Sequence, residues 1–278
     1  RTSHTLDIRL FRDQLVYIIN HAEDRVVFVD PDLAPLLSPI VDQLETVETF
    51  VIMGPTAENS GIEGAISYED LIAGVEPMRE WPELDERSPM MYCYTSGTTG
   101  NPKGVAYTQR STYLHTISNL AANPVDASDN VLPVVPMFHA AAWGYPFMAV
   151  TVGAKITYPG PDLSGEGLVR LFIDERVNFS AGVPTVWLGV QQYLEANPDA
   201  DISHMRSLFC GGSAVPRAMI DWFERNAGVR VIQGWGMTEI NPIASAATVK
   251  PWMEEWDWED QLDILETAGR PIPGLQVK

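Results

Sequence analysis

Tyr94–Gly104 reads YTSGTTGNPKG, and this stretch does the most to decide the predicted fold. It lies between two apolar segments, Met90–Thr95 and Gly104–Thr108, that we predict to be strands. Glycines allow backbone angles that other residues resist, and they let main-chain N–H groups approach an anion closely. Hydroxyl side chains and a lysine supply further donors. The stretch is therefore predicted to cradle a triphosphate or a pyrophosphate.

This loop is not a Walker phosphate loop, in which Gly-Lys-Ser/Thr opens a helix, because Lys103 is followed here by Gly104 and a predicted strand. It resembles the signature of the adenylate-forming superfamily: acyl-CoA synthetases, firefly luciferase and the adenylation domains of peptide synthetases. The resemblance implies that the loop holds the β- and γ-phosphates of ATP. The residues implied are Thr95, Ser96, Gly97, Thr98, Thr99, Gly100 and Lys103.

A second block, Gln233–Glu239, reads QGWGMTE and resembles the family's aromatic-Gly-x-Thr-Glu block. The resemblance implies that Trp235 stacks on adenine, that Thr238 bonds the α-phosphate and that Glu239 is a ligand of Mg²⁺. Taken alone, the same residues could be a core tryptophan and a helix-capping threonine. The nucleotide-binding residues expected from this block are Gly234, Trp235, Gly236, Met237 and Thr238.

Gly211–Pro216 reads GGSAVP and follows the predicted strand Ser207–Cys210. Small side chains let a planar ligand lie against the backbone, and Pro216 suits the first position of a helix. By resemblance, one wall of the adenine and acyl pocket is formed by Gly212, Ser213 and Ala214.

Pro136–Gly144 reads PMFHAAAWG and resembles the block that carries the family's pocket histidine. His139 would lie near the carboxylate and the α-phosphate, where a donor steadies negative charge; a buried core histidine is the alternative. Trp143 resembles, by its position, an indole that is thought to gate the acyl tunnel of long-chain synthetases. Ser180–Trp187 reads SAGVPTVW and resembles the corresponding block of fatty acyl-CoA synthetases. The expected acyl-pocket residues are His139, Trp143, Val183 and Gly211, with packing as the alternative role of Val183.

Periodicity along the 278 residues alternates between helical and strand patterns, which indicates an α/β fold with two mostly parallel sheets covered by helices. We expect a partial first subdomain at 1–89 and an ATP- and acyl-binding subdomain at 90–278, because residues 54–89 are rich in loop-forming residues. The resemblance implies the large N-terminal domain of the acyl-CoA synthetase and luciferase fold. The family's C-terminal lid domain is expected to be absent, and by the same resemblance the turn at Gly269–Gly274 is expected to lead into a missing third subdomain.

The net charge indicates which binding partners are excluded, and the cysteine content indicates the cellular location. A formal net charge of −19 opposes binding to nucleic acid or anionic lipid. The charge-free stretch Val131–Ala154 is interrupted by prolines and is predicted to be a buried strand and helix, not an integral membrane segment. Cys93 and Cys210 lie in apolar strands without metal-ligand spacing, so a reducing cytoplasm is the expected location.

The resemblance implies an acid–thiol ligase that uses ATP, Mg²⁺ and coenzyme A to activate a carboxylic acid of the fatty-acid type. Catalytic roles are implied for Lys103, His139, Thr238 and Glu239. Two alternatives stay open: an adenylation module or aryl- or short thioether-acid ligase, and a non-catalytic nucleotide-binding homologue. Dimers are common among similar synthetases, which suggests a homodimer. We expect these residues alone to bind nucleotide weakly and turn over slowly.

Overall fold

The computed structural model describes residues 2–95, 100–123 and 125–277. It divides into two compact units, Arg1–Gln109 and Arg110–Lys278. The predicted boundary after residue 89 therefore falls instead after Gln109. The reason is that the strand at Pro89–Thr95 pairs with Ser3–His4 and so joins the first unit.

In the first unit, the described strands form two three-stranded sheets. The strands are β1 (Ser3–His4), β2 (Val26–Val29), β3 (Thr49–Ile52), β4 (Ile66–Ser67), β5 (Pro89–Thr95) and β6 (Lys103–Thr108). Strands β2, β3 and β4 are parallel, whereas β5 is parallel to β1 and antiparallel to β6. The helices are α1 (Arg12–His21), α2 (Ala34–Leu37) and α3 (Tyr68–Ile72).

The predicted helix over Pro31–Leu44 is wrong as a single element. The structure has a 3₁₀ turn at Pro31–Leu33, the short helix α2 and a second 3₁₀ segment at Ser38–Gln43. Pro35 and Pro39 explain the interruption, because each lacks a backbone N–H and disfavours helical geometry in the residue before it.

The second unit is built on a seven-stranded sheet with the order β13-β12-β11-β10-β9-β7-β8. Its strands are β7 (Asn130–Pro133), β8 (Lys155–Ile156), β9 (Phe179–Gly182), β10 (Ser207–Cys210), β11 (Arg230–Gly236), β12 (Ile243–Ala246) and β13 (Arg270–Pro271). Strands β8, β7, β9, β10 and β11 are parallel, and β12 and β13 add antiparallel pairs at one edge.

Helices cover this sheet. They are α4 (Gln109–Ala122), α5 (Tyr145–Val152), α6 (Gly165–Asp174), α7 (Pro184–Ala196), α8 (Arg217–Trp222) and α9 (Trp258–Leu265). Alternate strand residues enter two different cores, since Leu208 packs in one cluster and Phe209 in the other. A parallel sheet buried on both faces explains the continuous apolar runs in the sequence. No helix in the described ranges has both the length and the apolarity to cross a membrane.

The α/β class is therefore confirmed, and both cysteines are buried in strands as predicted. The number of sheets differs from the prediction: the described strands form three sheets, not two, because β1, β5 and β6 pair among themselves. The sequence pattern could not reveal this, since β1 has only two residues and lies far from β5 along the chain.

Candidate functional site

The Gly/Thr loop of the first unit joins two paired strands. Strand β5 ends at Thr95 and β6 begins at Lys103, and these two residues are directly paired. The Thr95 hydroxyl lies 3.5 Å from the carbonyl oxygen of Lys103, and the Lys103 side chain is exposed. Gly100 has a φ of +98°, and an added Cβ atom there would have no atom of the described residues within 4 Å. The predicted residues Ser96, Gly97, Thr98 and Thr99 lie outside the described residues.

Tyr94 anchors the base of this hairpin, a contact that the motif alone did not predict. Its hydroxyl oxygen lies 2.7 Å from Nδ1 of His21. A Cβ atom at Gly104 would lie only 3.0 Å from Cζ of the Tyr94 ring, so the ring packs directly on the β6 backbone. Burial, followed by the charge of Asp24, raises the pKa of Tyr94 to about 12. The hydroxyl therefore stays protonated at neutral pH and can donate to His21.

In the second unit, the predicted pocket residues Trp143, Val183 and Gly211 come together. A Cβ atom at Gly211 would lie 3.3 Å from Cη2 of Trp143 and 3.0 Å from the carbonyl oxygen of Gly234. At Gly212 it would lie 3.2 Å from Cγ1 of Val183. We call Gly211, Gly212 and Gly234 the glycine wall. The Trp143 and Val183 side chains lie against this wall, where the sequence predicted an acyl pocket.

Trp143 reaches the wall from a turn of left-handed backbone. Ala140–Trp143 have φ angles between +49° and +57°, and Gly144 follows at +78°. The predicted helix over residues 140–150 is therefore wrong in its first part, and the right-handed helix α5 begins only at Tyr145. Left-handed geometry costs an L-residue about 1 kcal/mol or more. Such residues persist where the surroundings hold them, and these four are buried.

His139 immediately precedes this left-handed turn. Its side chain is exposed and its backbone N–H donates to the carbonyl oxygen of Pro136 at 3.0 Å. The structure therefore does not support the alternative of a buried core histidine. The role near a carboxylate stays a prediction.

The QGWGMTE block forms the end of β11 and the loop that leads to β12. Trp235 is 49% exposed and presents one indole to solvent, and Met237 is also exposed. The Met237 N–H donates to the carbonyl oxygen of Pro242 at 2.9 Å, which closes the loop. Thr238–Ile240 form one 3₁₀ turn inside it. A Cβ atom at Gly236 would lie 2.3 Å from the Pro242 oxygen, so only glycine allows this close approach.

Gln233 links this block to the GGSAVP turn. Its Oε1 accepts from the Val215 N–H at 2.5 Å, and its Nε2 donates to the carbonyl oxygens of Glu266 and Thr267 at 2.7 and 2.6 Å. Ser213 and Ala214 are exposed on that turn, as a ligand-facing role requires. The sequence pattern gave Gln233 no role, because its three partners lie far along the chain.

Glu239 is the one acidic residue that the motif offers for a metal. It is exposed on the 3₁₀ turn beside Thr238. Within the described ranges, no group of three or more His, Cys, Asp or Glu side chains is placed to hold an ion. A single hard carboxylate fits a Mg²⁺ ion that takes its remaining ligands from phosphate oxygens and water.

A buried histidine that no motif indicated lies beside these segments. His115 on α4 is 6% exposed, and its Nε2 accepts a hydrogen bond from the Ile243 N–H at 3.1 Å. Burial lowers the pKa of His115 to about 4, so the ring is neutral at physiological pH. Its polar partner could not be read from sequence, because Ile243 lies 128 residues away.

Known proteins resemble this chain along nearly all of its residues. The family model described as AMP-binding enzyme matches residues 2–278. A medium-chain-fatty-acid–CoA ligase from Ectopseudomonas oleovorans is 42% identical over 99% of this chain and 51% of its own length. A 3-methylmercaptopropionyl-CoA ligase from Ruegeria lacuscaerulensis is also 42% identical, over 99% and 52%. A long-chain-fatty-acid–CoA ligase from Thermus thermophilus is 43% identical over 99% and 50%. The chain spans about half the length of these relatives.

Solved structures show the same fold. An anthranilate CoA ligase in complex with anthranoyl-AMP superposes with a TM-score of 0.83 at 21% identity, over 98% of this chain and 50% of its own. A long-chain-fatty-acid-CoA ligase from Archaeoglobus fulgidus gives 0.82 at 23% identity, over 98% and 52%. These matches confirm the fold that the resemblance implied. Because the family model matches nearly the whole chain, residues 2–278, the chain belongs to the AMP-binding enzyme family.

Proposed function

We propose that this chain belongs to an ATP-dependent acyl-CoA ligase of the fatty-acid type. Such an enzyme joins a carboxylic acid to AMP, releases pyrophosphate and transfers the acyl group to coenzyme A. The observation that carries the proposal is the glycine wall, against which Trp143 and Val183 form an apolar surface. Fatty-acid–CoA ligases among the relatives support the same substrate class.

Activation begins with attack of the carboxylate on the α-phosphorus of ATP, which expels pyrophosphate. The carboxylate alone is a poor acyl donor because its leaving group would be oxide. Catalysis of this step needs positioning and neutralisation of charge, with no covalent nucleophile from the protein. In this proposal the exposed ammonium of Lys103 and the hydroxyl of Thr95 bind the departing phosphates.

On the second unit, Trp235 offers an exposed indole face to adenine, and the exposed small residues Ser213 and Ala214 are proposed to line the same pocket. Thr238 donates its hydroxyl to the α-phosphate, and Glu239 is the residue that would hold Mg²⁺. When bound, the ion would supply Lewis-acid neutralisation of phosphate charge. His139 is proposed as a donor to the developing negative charge, since it is exposed next to the turn that carries Trp143.

A short thioether acid is the second candidate substrate. The Trp143 indole and Val183 already fill the space beside Gly211 and Gly212, which favours a short acyl group unless the indole moves. The relative from Ruegeria lacuscaerulensis that is named a 3-methylmercaptopropionyl-CoA ligase supports this candidate. The cytoplasm and a homodimer remain the expected location and assembly.

Binding of unreactive alkyl esters of AMP tests the proposal and does not require turnover, which we expect to be slow for these residues alone. Affinities are measured by calorimetry for AMP and for its methyl, butyl, octyl, hexadecyl and phenyl esters. A fatty-acid ligase predicts an octyl ester at least about tenfold tighter than AMP, which is about 1.4 kcal/mol. A short-acid ligase predicts a maximum at butyl. Equal affinity for every ester would contradict both candidates.

A further inference from the structure

One buried side chain contacts both segments that carry the proposed site of the second unit. The His115 imidazole meets the start of β12 through the hydrogen bond from the Ile243 N–H, at 3.1 Å. On its other side the ring lies against Gly144, where an added Cβ atom would be 3.2 Å from Cε1 and 3.3 Å from Nδ1. Gly144 ends the left-handed turn, and Ile243 follows the Thr238–Glu239 loop.

The hydrogen bond fixes the chemical state of the ring. A backbone N–H only donates, so Nε2 must be unprotonated where it meets Ile243. With the ring buried, loss of this acceptor would leave the Ile243 N–H without its partner, and such a loss is costly. The contact therefore ties α4 firmly to the first residue of β12.

A second bond from the same helix reinforces the link. Ser111 lies one helical turn before His115, and its hydroxyl donates to Oδ1 of Asn241 at 3.0 Å. The Met237 N–H in turn donates to the Pro242 oxygen at 2.9 Å. The loop that contains Thr238 and Glu239 is thus closed at its base, and that base is attached to α4 at two points.

The contact at Gly144 acts on the opposite segment. Trp143 is the residue just before it, and its indole lies against Gly211. Because the turn has left-handed geometry that its residues do not favour, packing must hold it in place. The imidazole lies so close to residue 144 that an added side chain would be crowded, so the ring contributes to that packing directly.

We propose that His115 is a positioning residue that fixes the Thr238–Glu239 loop and the Trp143 turn relative to each other. The inference rests on the proposed function, in which the loop binds the nucleotide and the turn lines the acyl pocket. AMP alone needs only the loop, whereas an acyl-adenylate needs both segments in one arrangement. His115 therefore matters most for a ligand that joins the two halves.

The test compares AMP with its octyl ester in His115→Leu, His115→Gln and Thr116→Val, by calorimetry on the same chain. Leucine removes the acceptor, while glutamine places a neutral acceptor close to the position of Nε2. Thr116→Val is the matched control, because Thr116 is buried on the same helix and its hydroxyl donates to the Thr112 carbonyl oxygen within α4. His115→Leu should weaken the octyl ester about tenfold and AMP less than about twofold. His115→Gln should restore most of the loss, and Thr116→Val should change neither affinity.

Equal losses for AMP and the octyl ester in His115→Leu, no loss, or failure of a folded His115→Gln to restore affinity would overturn the inference. If His115→Leu does not fold, Ser111→Ala carries the test, with a loss of about threefold expected for the octyl ester only. Unchanged affinity in Ser111→Ala would then overturn it. A wild-type chain that binds the octyl ester no better than AMP would instead refute the proposed function on which this inference rests.

Discussion

The hairpin between β5 and β6 and the glycine wall both depend on glycine, but for opposite reasons. In the hairpin, Gly100 has a φ of +98°, and among the described residues no atom lies within 4 Å of an added Cβ. In the wall, a Cβ at Gly234 would lie 2.0 Å from Cζ of Phe209. Glycine leaves empty space beside the backbone in the first region, and in the second it makes room for the protein's own aromatic ring.

The two regions therefore differ in whether a glycine is needed for ligand binding or for folding. Because no atom of the described residues crowds Gly100, substitutions in the hairpin should change binding more than folding. At Gly234 the wall is filled by protein atoms, since the Phe209 ring lies against this residue and packs edge to face on Trp143 with ring centroids 5.9 Å apart. Substitutions there should therefore damage folding first.

The largest effect is expected for Gly234→Ala. Because the new methyl group would overlap the buried Phe209 ring, the free energy of unfolding should fall by about 3 kcal/mol or more. Gly100→Ala is the matched control, and its cost of about 1 kcal/mol reflects backbone geometry alone. Chemical denaturation followed by circular dichroism measures both. Similar losses in the two variants would erase the distinction between hairpin and wall.

The second prediction concerns the buried histidine that contacts Gly144 and Ile243. His115 has an ordinary pKa of 6.5, and burial lowers the pKa to about 4 in the folded chain. Between these values the unfolded state binds more protons than the folded state, so the free energy of unfolding falls as the pH drops from 6.5 to about 4. Below pH 4 the histidine is protonated in both states and lowers the free energy of unfolding no further. The loss is on the order of 3 kcal/mol. The free energies of unfolding of wild type and His115→Gln should therefore differ by an amount that changes between pH 6.5 and about 4 and stays constant outside this range. A difference that does not change with pH in this range would contradict the assignment.

The third prediction concerns the hairpin. Lys103→Ala should weaken ATP by about 2 kcal/mol, because a charge-assisted contact to phosphate is lost. AMP affinity and the free energy of unfolding should stay unchanged, since the side chain is exposed. Lys155→Ala is the control: it removes an equally cationic residue that pairs with Glu175 at 2.6 Å, far from any predicted phosphate contact in sequence. Calorimetric titrations that show the same ATP loss in both variants would reduce the effect to overall charge.

The smallest expected effect is a change in stability at Gly189, which is compared with Gly165 in the same unit. Gly189 lies within α7, and an added Cβ would meet no atom closer than 3.9 Å. Gly189→Ala should therefore stabilise the chain by about 0.5–1 kcal/mol, as alanine does in a helix interior. The facing residue supplies the contrast, because a Cβ at Gly165 would lie 2.1 Å from the Gly189 oxygen. Equal destabilisation by Gly165→Ala and Gly189→Ala would show that added volume is not the deciding factor.

The local sequence patterns correctly predicted those strands and helices whose formation depends mainly on neighbouring residues. The strands on either side of the Gly/Thr loop are present, and Thr95 and Lys103 are paired as a hairpin requires. The alternation of strands and helices in the second unit also follows the pattern, because buried parallel strands need continuous apolar runs. Relatives and solved structures confirm the family and the fold that the motifs implied.

Features set by long-range packing could not be predicted in this way. Three consecutive alanines at 140–142 favour a right-handed helix, yet burial holds them in a left-handed turn that aims Trp143 at the wall. The partner of His115 lies 128 residues away, and β1 joins β5 across most of the first unit. Such contacts depend on the assembled fold, which no local window of sequence contains.

A crystal structure of this chain with ATP would show directly where the triphosphate binds. We expect β- and γ-phosphate oxygens within hydrogen-bonding distance of the Thr95 hydroxyl and the Lys103 ammonium, with the α-phosphorus left accessible. A triphosphate bound away from residues 95–103, with these two side chains making no contact to it, would refute the proposed function.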